Sequence, residues 1–237
     1  IAGEDESATT LLALRVGSQF TGTIGTSVAN LQVNATTVDF AGRGASCFLD
    51  GAMPTVNVND GIKNDDMLHL RGNIDTLRIL GGQGTVTVNA ADGELDNLEI
   101  IGAPSITVSV PTGVTSLDTV TMDSGEVTIG ATGATTVEVF GGQLTYTDSA
   151  TIATLEIHTD ATCRYNSTGT ITTLTVFGGA FDMRDSTASA LTITNATMHE
   201  GGMINARNGL RSVTWTNGIV FHGGMLYPDR GRTLTIS

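Results

Sequence analysis

The chain has 237 residues, of which 15% are charged and 40% hydrophobic, and its formal net charge is −13. This charge argues against nucleic-acid binding through the general surface, and no apolar run approaches the roughly 18 residues that a membrane-spanning helix needs. Threonine and valine are abundant while lysine, glutamate and glutamine are scarce, so the composition favours strands over helices.

The first ten residues stand before any repeated pattern. They include the acidic run Glu4, Asp5 and Glu6. A repeated β-structure needs its terminal edges covered, and charged segments often serve that purpose. We therefore expect residues 1–10 to form an N-terminal arm or cap, followed by one domain over residues 11–237.

From residue 11 onwards a six-residue pattern recurs twelve times. It reads apolar, any, small or polar, apolar, any, apolar, and Ile152 to Ile157 is a clear copy. Successive copies are 17 to 25 residues apart. A period of about 20 residues over nearly the whole chain predicts an all-β, single-domain parallel β-solenoid of about 11 rungs. The central apolar residues are Leu14, Leu31, Val56, Leu77, Leu98, Val120, Val137, Leu155, Leu174, Leu191, Val213 and Leu234.

Each copy ends in the alternation that is typical of a half-buried strand. Leu155 and Ile157 are expected to point inward and Glu156 outward. Glycines such as Gly141-Gly142 and Gly178-Gly179 then mark corners, because glycine accepts the positive φ of a sharp bend. A second short strand follows most corners, so each rung holds two or three strands that pair with the rungs above and below.

This pattern resembles the parallel β-helix proteins, and among them the short-rung β-solenoids of bacteriophage virions. The resemblance covers residues 11–237 and implies a non-catalytic virion structural protein, such as a phage capsid decoration (cement) protein or a related head or tail component. It implies other virion proteins as partners, the major capsid protein among them, and a homo-oligomer such as a trimer. Right-handed winding is expected from the general preference of parallel connections.

The repeat also predicts which residues share a column. The lone tryptophan, Trp215, falls on an inward column, and Thr175, Thr192, Thr214 and Thr235 form the end of an outward one. Cys47 and Cys163 fall six rungs apart. At about 4.8 Å per rung that separation is roughly 29 Å, too far for a disulfide.

Few side chains suggest chemistry. Glu138 and Glu156 fall at the same outward position of adjacent rungs, about 5 Å apart, which is the spacing of a retaining glycosidase pair. They lie on an open sheet face, however, so we predict no enzyme. The four histidines show no metal-ligand spacing, and no nucleophile elbow or phosphate loop occurs. We predict no cofactor and no metal site.

Two other classes of function stay open. A secreted or cell-surface adhesin would share the solenoid and would carry a signal peptide or an anchor in its gene. A carbohydrate-active β-helix enzyme would be expected to depend on Glu138 and Glu156. The low aromatic content, 5%, disfavours the enzyme, because sugar sites usually use aromatic platforms.

The last 37 residues carry four arginines against the single acid Asp229, a local net charge of +3. The final pattern copy is Gly231 to Ile236, and we expect the last rung to be open to a partner. A positive cluster beside uncovered apolar positions suits an acidic partner surface. The predicted docking residues are Arg207, Arg211, Arg230, Arg232, Leu234 and Ile236.

Overall fold

The computed structural model confirms an all-β chain wound as a parallel β-solenoid. It describes residues 11–42, 45–59, 67–88, 94–114, 117–130, 133–147, 149–184, 190–207 and 212–228. These ranges contain strands, turns and no helix. In this part of the chain, accordingly, no helix has the length and apolar character to cross a membrane.

Twenty-three strands are found in the described ranges. In chain order they are β1 (Leu11–Val16), β2 (Gly22–Ile24), β3 (Leu31–Gln32), β4 (Ala35–Phe40), β5 (Ala45–Ala52), β6 (Thr55–Val58), β7 (Met67–Ile79), β8 (Thr85–Val88), β9 (Glu94–Ile100), β10 (Thr107–Val110), β11 (Thr119–Met122), β12 (Glu126–Ile129), β13 (Thr136–Val139), β14 (Gly142–Tyr146), β15 (Ile152–Ile157), β16 (Ala161–Tyr165), β17 (Ile171–Val176), β18 (Ala180–Asp182), β19 (Ala190–Met198), β20 (Met203–Asn205), β21 (Ser212–Trp215), β22 (Ile219–Phe221) and β23 (Met225–Tyr227).

The strands form three sides of a rod, and every strand pair among them is parallel. The first side runs from β1 through β4, β6, β9, β11, β13, β15 and β17 to β22. The second side runs from β2 through β8, β10, β12, β14, β16, β18 and β20 to β23. The third side includes β3 and β21. The longer strands β5, β7 and β19 each continue from one side onto the next.

Strict alternation of apolar and polar residues creates the core. In β13 and β15 the inward residues are fully buried, and the outward residues are partly exposed. The inward position at the end of each first-side strand forms one apolar column, because each residue is in register with its counterpart one turn on. This column is Val16, Phe40, Val58, Ile79, Ile100, Met122, Val139, Ile157, Val176, Met198 and Phe221.

The predicted register is confirmed in the middle of the rod. Seven consecutive central residues, from Val56 to Leu174, pair with one another one turn apart. It is wrong near the N-terminal end. Leu14 pairs with Val38, whereas Leu31 lies on the third side and pairs with Leu49.

The register is also wrong near the C-terminal end. Leu174 pairs with Ala196, while Leu191 pairs with Val213 on the third side. The threonine ladder expected on one column is therefore split, since Thr175 pairs with Thr197. The rung count differs slightly from the prediction, since the solenoid has about nine turns, and the twelfth copy lies outside the described residues.

Two single residues show what this shift changes. Trp215 packs against the core as predicted, but it does so from the third side, in register with Ile193. Cys47 and Cys163 are both buried and lie six turns apart on the second side, without a disulfide. Burial, and secondarily the charge of Asp182, raises the pKa of the Cys163 thiol, so this residue behaves as an apolar core residue.

The glycine corners between the first and second sides are confirmed. At Gly142 φ is +78°, and a Cβ would lie 2.4 Å from the carbonyl oxygen of Gly125 in the turn below. A side chain has no room there, so glycine lets the two turns approach closely at this corner. The residue just before each such corner is consequently held in the same place on every turn.

Candidate functional site

The predicted docking cluster is described at one residue only. Arg207 follows β20, and its backbone N–H donates to Oδ1 of Asn205 at 3.4 Å. Its guanidinium carbon lies 4.2 Å from the ring centroid of Tyr227, one turn on. This cation–π contact fixes a positive charge at the last described turn. The other predicted docking residues, Arg211, Arg230, Arg232, Leu234 and Ile236, lie outside the described residues.

Apolar side chains are exposed at the same turn. Phe221 belongs to the inward column, in register with Met198, yet 48% of it is exposed, while Met198 is fully buried. Val220 and Met225 are similarly exposed. The last described turn thus leaves a core position, Phe221, exposed, and Arg207 of the preceding turn stacks on Tyr227 of this turn.

A partly buried ion pair precedes this turn on the second side. Arg184 donates from Nε to both carboxylate oxygens of Asp182, at 3.0 and 2.9 Å, and from Nη2 to Oδ2 at 2.6 Å. Burial alone would raise the pKa of Asp182. The hydrogen bonds from Arg184, with the charges of Arg184 and Arg164, outweigh burial and hold that pKa below its usual value. The charges of Asp182 and Arg184 are paired with each other, and this pairing indicates a structural role.

Glu138 and Glu156 occupy adjacent turns of the first side, as predicted. Both carboxylates are partly exposed on an open sheet. The imidazole Nε2 of His158 lies 3.6 Å from Oε2 of Glu156. A retaining glycosidase holds its sugar between two carboxylates, whereas these two lie at the same outward position of one side of the rod.

In the N-terminal part of the same outward column, the charged side chains form ion pairs with one another. The Arg15 guanidinium lies 3.2 Å from the Asp39 carboxylate, to which Asn57 donates a hydrogen bond at 2.9 Å. Arg78 donates to Glu99 at 2.8 Å. These five residues, Arg15, Asp39, Asn57, Arg78 and Glu99, are called the polar column below.

Sequence reasoning missed a column of stacked rings at the corner between the first and second sides. The ring centroids are 4.3, 4.7, 4.9 and 5.2 Å apart from one member to the next, which is the spacing of stacked aromatic side chains. The sequence contains a signal that could have revealed this column, because each ring immediately follows a first-side strand. The members of this ring ladder are Phe140, His158, Phe177, His199 and His222.

Another histidine lines a small recess at the opposite end of the second side. His69 stacks on Phe48 with centroids 4.5 Å apart and interplanar angle 4°, and burial lowers the pKa of His69. The recess, which Arg71 also lines, holds about 70 Å³. Ligand pockets usually measure about 300–1,000 Å³, so this recess is too small for an organic substrate.

Acidic residues gather at the corner between the third and first sides. Partial burial, followed by the charges of Asp118, Asp75 and Glu94, raises the pKa of Asp96. Across the described ranges, nevertheless, no group of three or more His, Cys, Asp or Glu side chains has the geometry to hold a metal ion.

Comparison with known proteins identifies no relative of this chain. No protein-family model, no curated protein and no solved structure matches the chain. The family and function are therefore argued from the geometry of the chain alone.

Proposed function

We propose that this chain is a non-catalytic structural component of a virus particle, of the kind formed by phage capsid decoration proteins and related head or tail parts. It docks on other virion proteins, such as the major capsid protein, through the turn that contains Phe221 and Tyr227, the residue on which Arg207 stacks. The observation that carries this proposal is the exposure of Phe221, an inward-column residue, at the last described turn.

The energetic argument follows from the solenoid. An inward residue is normally covered by the turns on both sides of it, as Val176 is between Ile157 and Met198. Within the described residues Phe221 has one such neighbour, Met198, and 48% of it is exposed. Covering exposed apolar surface is worth about 25 cal/mol per Å², and a terminal turn of a solenoid is where such a cover is needed.

The outer surface supports a structural role over a catalytic one. The charged residues of the polar column and the Asp182–Arg184 pair neutralise one another. Such paired charges are typical of a surface that resists aggregation.

The location of the chain tests the proposal first. An antibody to the purified protein should label purified virus particles from the source culture, and mass spectrometry of those particles should detect the chain in stoichiometric amounts. Detection only on the cell surface or in the secreted fraction would overturn the virion proposal and favour the adhesin.

The docking turn is tested by paired variants. F221S with R207A should weaken binding to particles stripped of the chain by tenfold or more, because the variant removes an apolar anchor and its neighbouring charge. The matched control is L12S with R15A, since Leu12 and Arg15 are exposed in β1 at the other end of the rod. Equal binding losses for the two variants would contradict docking through the Phe221 turn.

A further inference from the structure

One corner of the rod presents the same position on ten consecutive turns, of which Ala41 and Asn59 hold the first two and the corner column the other eight. In each case the backbone N–H donates to a carbonyl of the preceding turn, as from His158 to Val139 at 2.8 Å. This fixes the eight residues in one line, at about 4.8 Å per turn. The corner column is Leu80, Ile101, Asp123, Phe140, His158, Phe177, His199 and His222.

The corner column is unusually apolar for an exposed edge. Leu80, Ile101, Phe140 and Phe177 are between 38% and 46% exposed. Single exposed apolar residues are ordinary, but an aligned series of them is typical of an interaction surface. A partner that runs along the rod would cover them together.

The stacking of the rings limits what that partner can be. Neighbouring ring planes in the ladder differ by 15° to 28°, so each ring between Phe140 and His222 has its faces covered by its neighbours. The edges point outward. A sugar needs an open ring face, whereas ring edges suit the side chains of another protein surface.

The order of residues in the corner column is self-complementary about His158. Phe140 and Phe177 lie one turn to either side of it. Asp123 and His199 lie two turns to either side, and one is an acid while the other is an imidazole that can donate to it. A copy turned end for end about His158 would therefore place phenyl against phenyl and carboxylate against imidazole.

We propose that two copies of this chain associate side by side and antiparallel along the corner column, with the two-fold axis at His158. Each contact off the axis then occurs twice, as an isologous interface requires. Asp123 of each copy receives a hydrogen bond from His199 of the other. This lateral contact is separate from docking through the Phe221 turn and does not depend on it.

The charges argue for the antiparallel arrangement. In a parallel pair Asp123 would meet Asp123, and like charges that close repel each other. In the antiparallel pair only the residues on the axis meet their equivalents. There Glu156 approaches its counterpart, and in each copy Nε2 of His158 lies 3.6 Å from Oε2 of Glu156.

The size of the contact predicts a weak dimer. From Ile101 to His222 the column covers six intervals, or about 29 Å. A strip about 10 Å wide buries on the order of 300 Å² per copy, less than half of the roughly 800 Å² of a standard interface. We therefore expect association at protein concentrations of tens to hundreds of micromolar.

Exchanging the charges of Asp123 and His199 tests both the contact surface and the antiparallel direction of the two copies. Sedimentation equilibrium on the full chain should show a monomer–dimer equilibrium that D123K and H199D each weaken by about tenfold, because the two-fold axis repeats the altered contact. The double variant D123K/H199D should restore the dimer. The matched control D75K makes the same charge change at an exposed residue of a different corner and should leave association unchanged.

Three results would overturn the proposal. The first is a chain that stays monomeric up to about 500 µM. The second is a dimer that D123K and D75K weaken equally, which would indicate general charge and not this contact. The third is a double variant no better than the single ones, which would exclude the Asp123–His199 pairing. Circular dichroism of each folded variant confirms that these comparisons concern association only.

Discussion

The polar column and the corner column share two turns, on which their residues lie two positions apart but differ in what they leave exposed. Arg78 and Glu99 pair with each other on the first side. Leu80 and Ile101, which follow them at the corner, remain exposed. The backbone spacing is the same for both, so side-chain chemistry alone decides whether a column is satisfied within the chain or offers a surface to a partner.

The largest effect should come from the core that supports both columns. L155A removes a fully buried side chain between Val137 and Leu174. Such truncations cost about 2–5 kcal/mol of unfolding free energy, measured here by denaturant titration. L12A, at an exposed residue, is the control and should change stability by less than about 0.5 kcal/mol. If the two variants cost the same, the inward assignment of Leu155 is wrong.

A smaller effect should come from the close approach of turns at the glycine corner. G142A places a Cβ against the carbonyl oxygen of Gly125 while φ stays positive, so we expect a loss of about 2–4 kcal/mol. Gly102 also has a positive φ but has nothing within 4 Å of its Cβ position. G102A should therefore cost only about 1 kcal/mol. Thermal unfolding that ranks these variants in the reverse order would contradict the close approach of turns at the corner.

The smallest effect concerns the polar column itself. A double-mutant cycle of R78A and E99A should give a coupling energy of about 0.2–1 kcal/mol, since both side chains are partly exposed and water weakens the pair. The coupling should fall as salt is added. A coupling of several kcal/mol that persists in 1 M salt would show that this column is far less solvated than the geometry indicates.

The sequence predicted the middle of the rod well, where the central residues from Val56 to Leu174 pair one turn apart. It failed at the ends for a physical reason. Residues 35–40 and 193–198 also fit the pattern, and the local alternation of a strand does not say which side of the rod it joins. Only pairing with the neighbouring turn decides that, as Val38 with Leu14 and Ala196 with Leu174 show.

The ring ladder illustrates the same limit at the level of a site. Phe140, His158 and Phe177 are 18 and 19 residues apart, and their stacking follows only once the register of three turns is known. A search for metal-ligand or catalytic spacings does not detect such a column, because its members are related by the repeat and not by a short motif. Reading the residue after each repeat copy would have found it.

The distance between equivalent residues in the dimer tests the central claim most directly. A spin label at L80C lies four turns from His158, so the antiparallel dimer places the two labels about 38 Å apart. Double electron–electron resonance on the concentrated full chain should show that distance, with wild type treated with the same spin label as the control for Cys47 and Cys163, both buried. A distance below about 20 Å would mean a parallel pair and would contradict the antiparallel association of the corner columns.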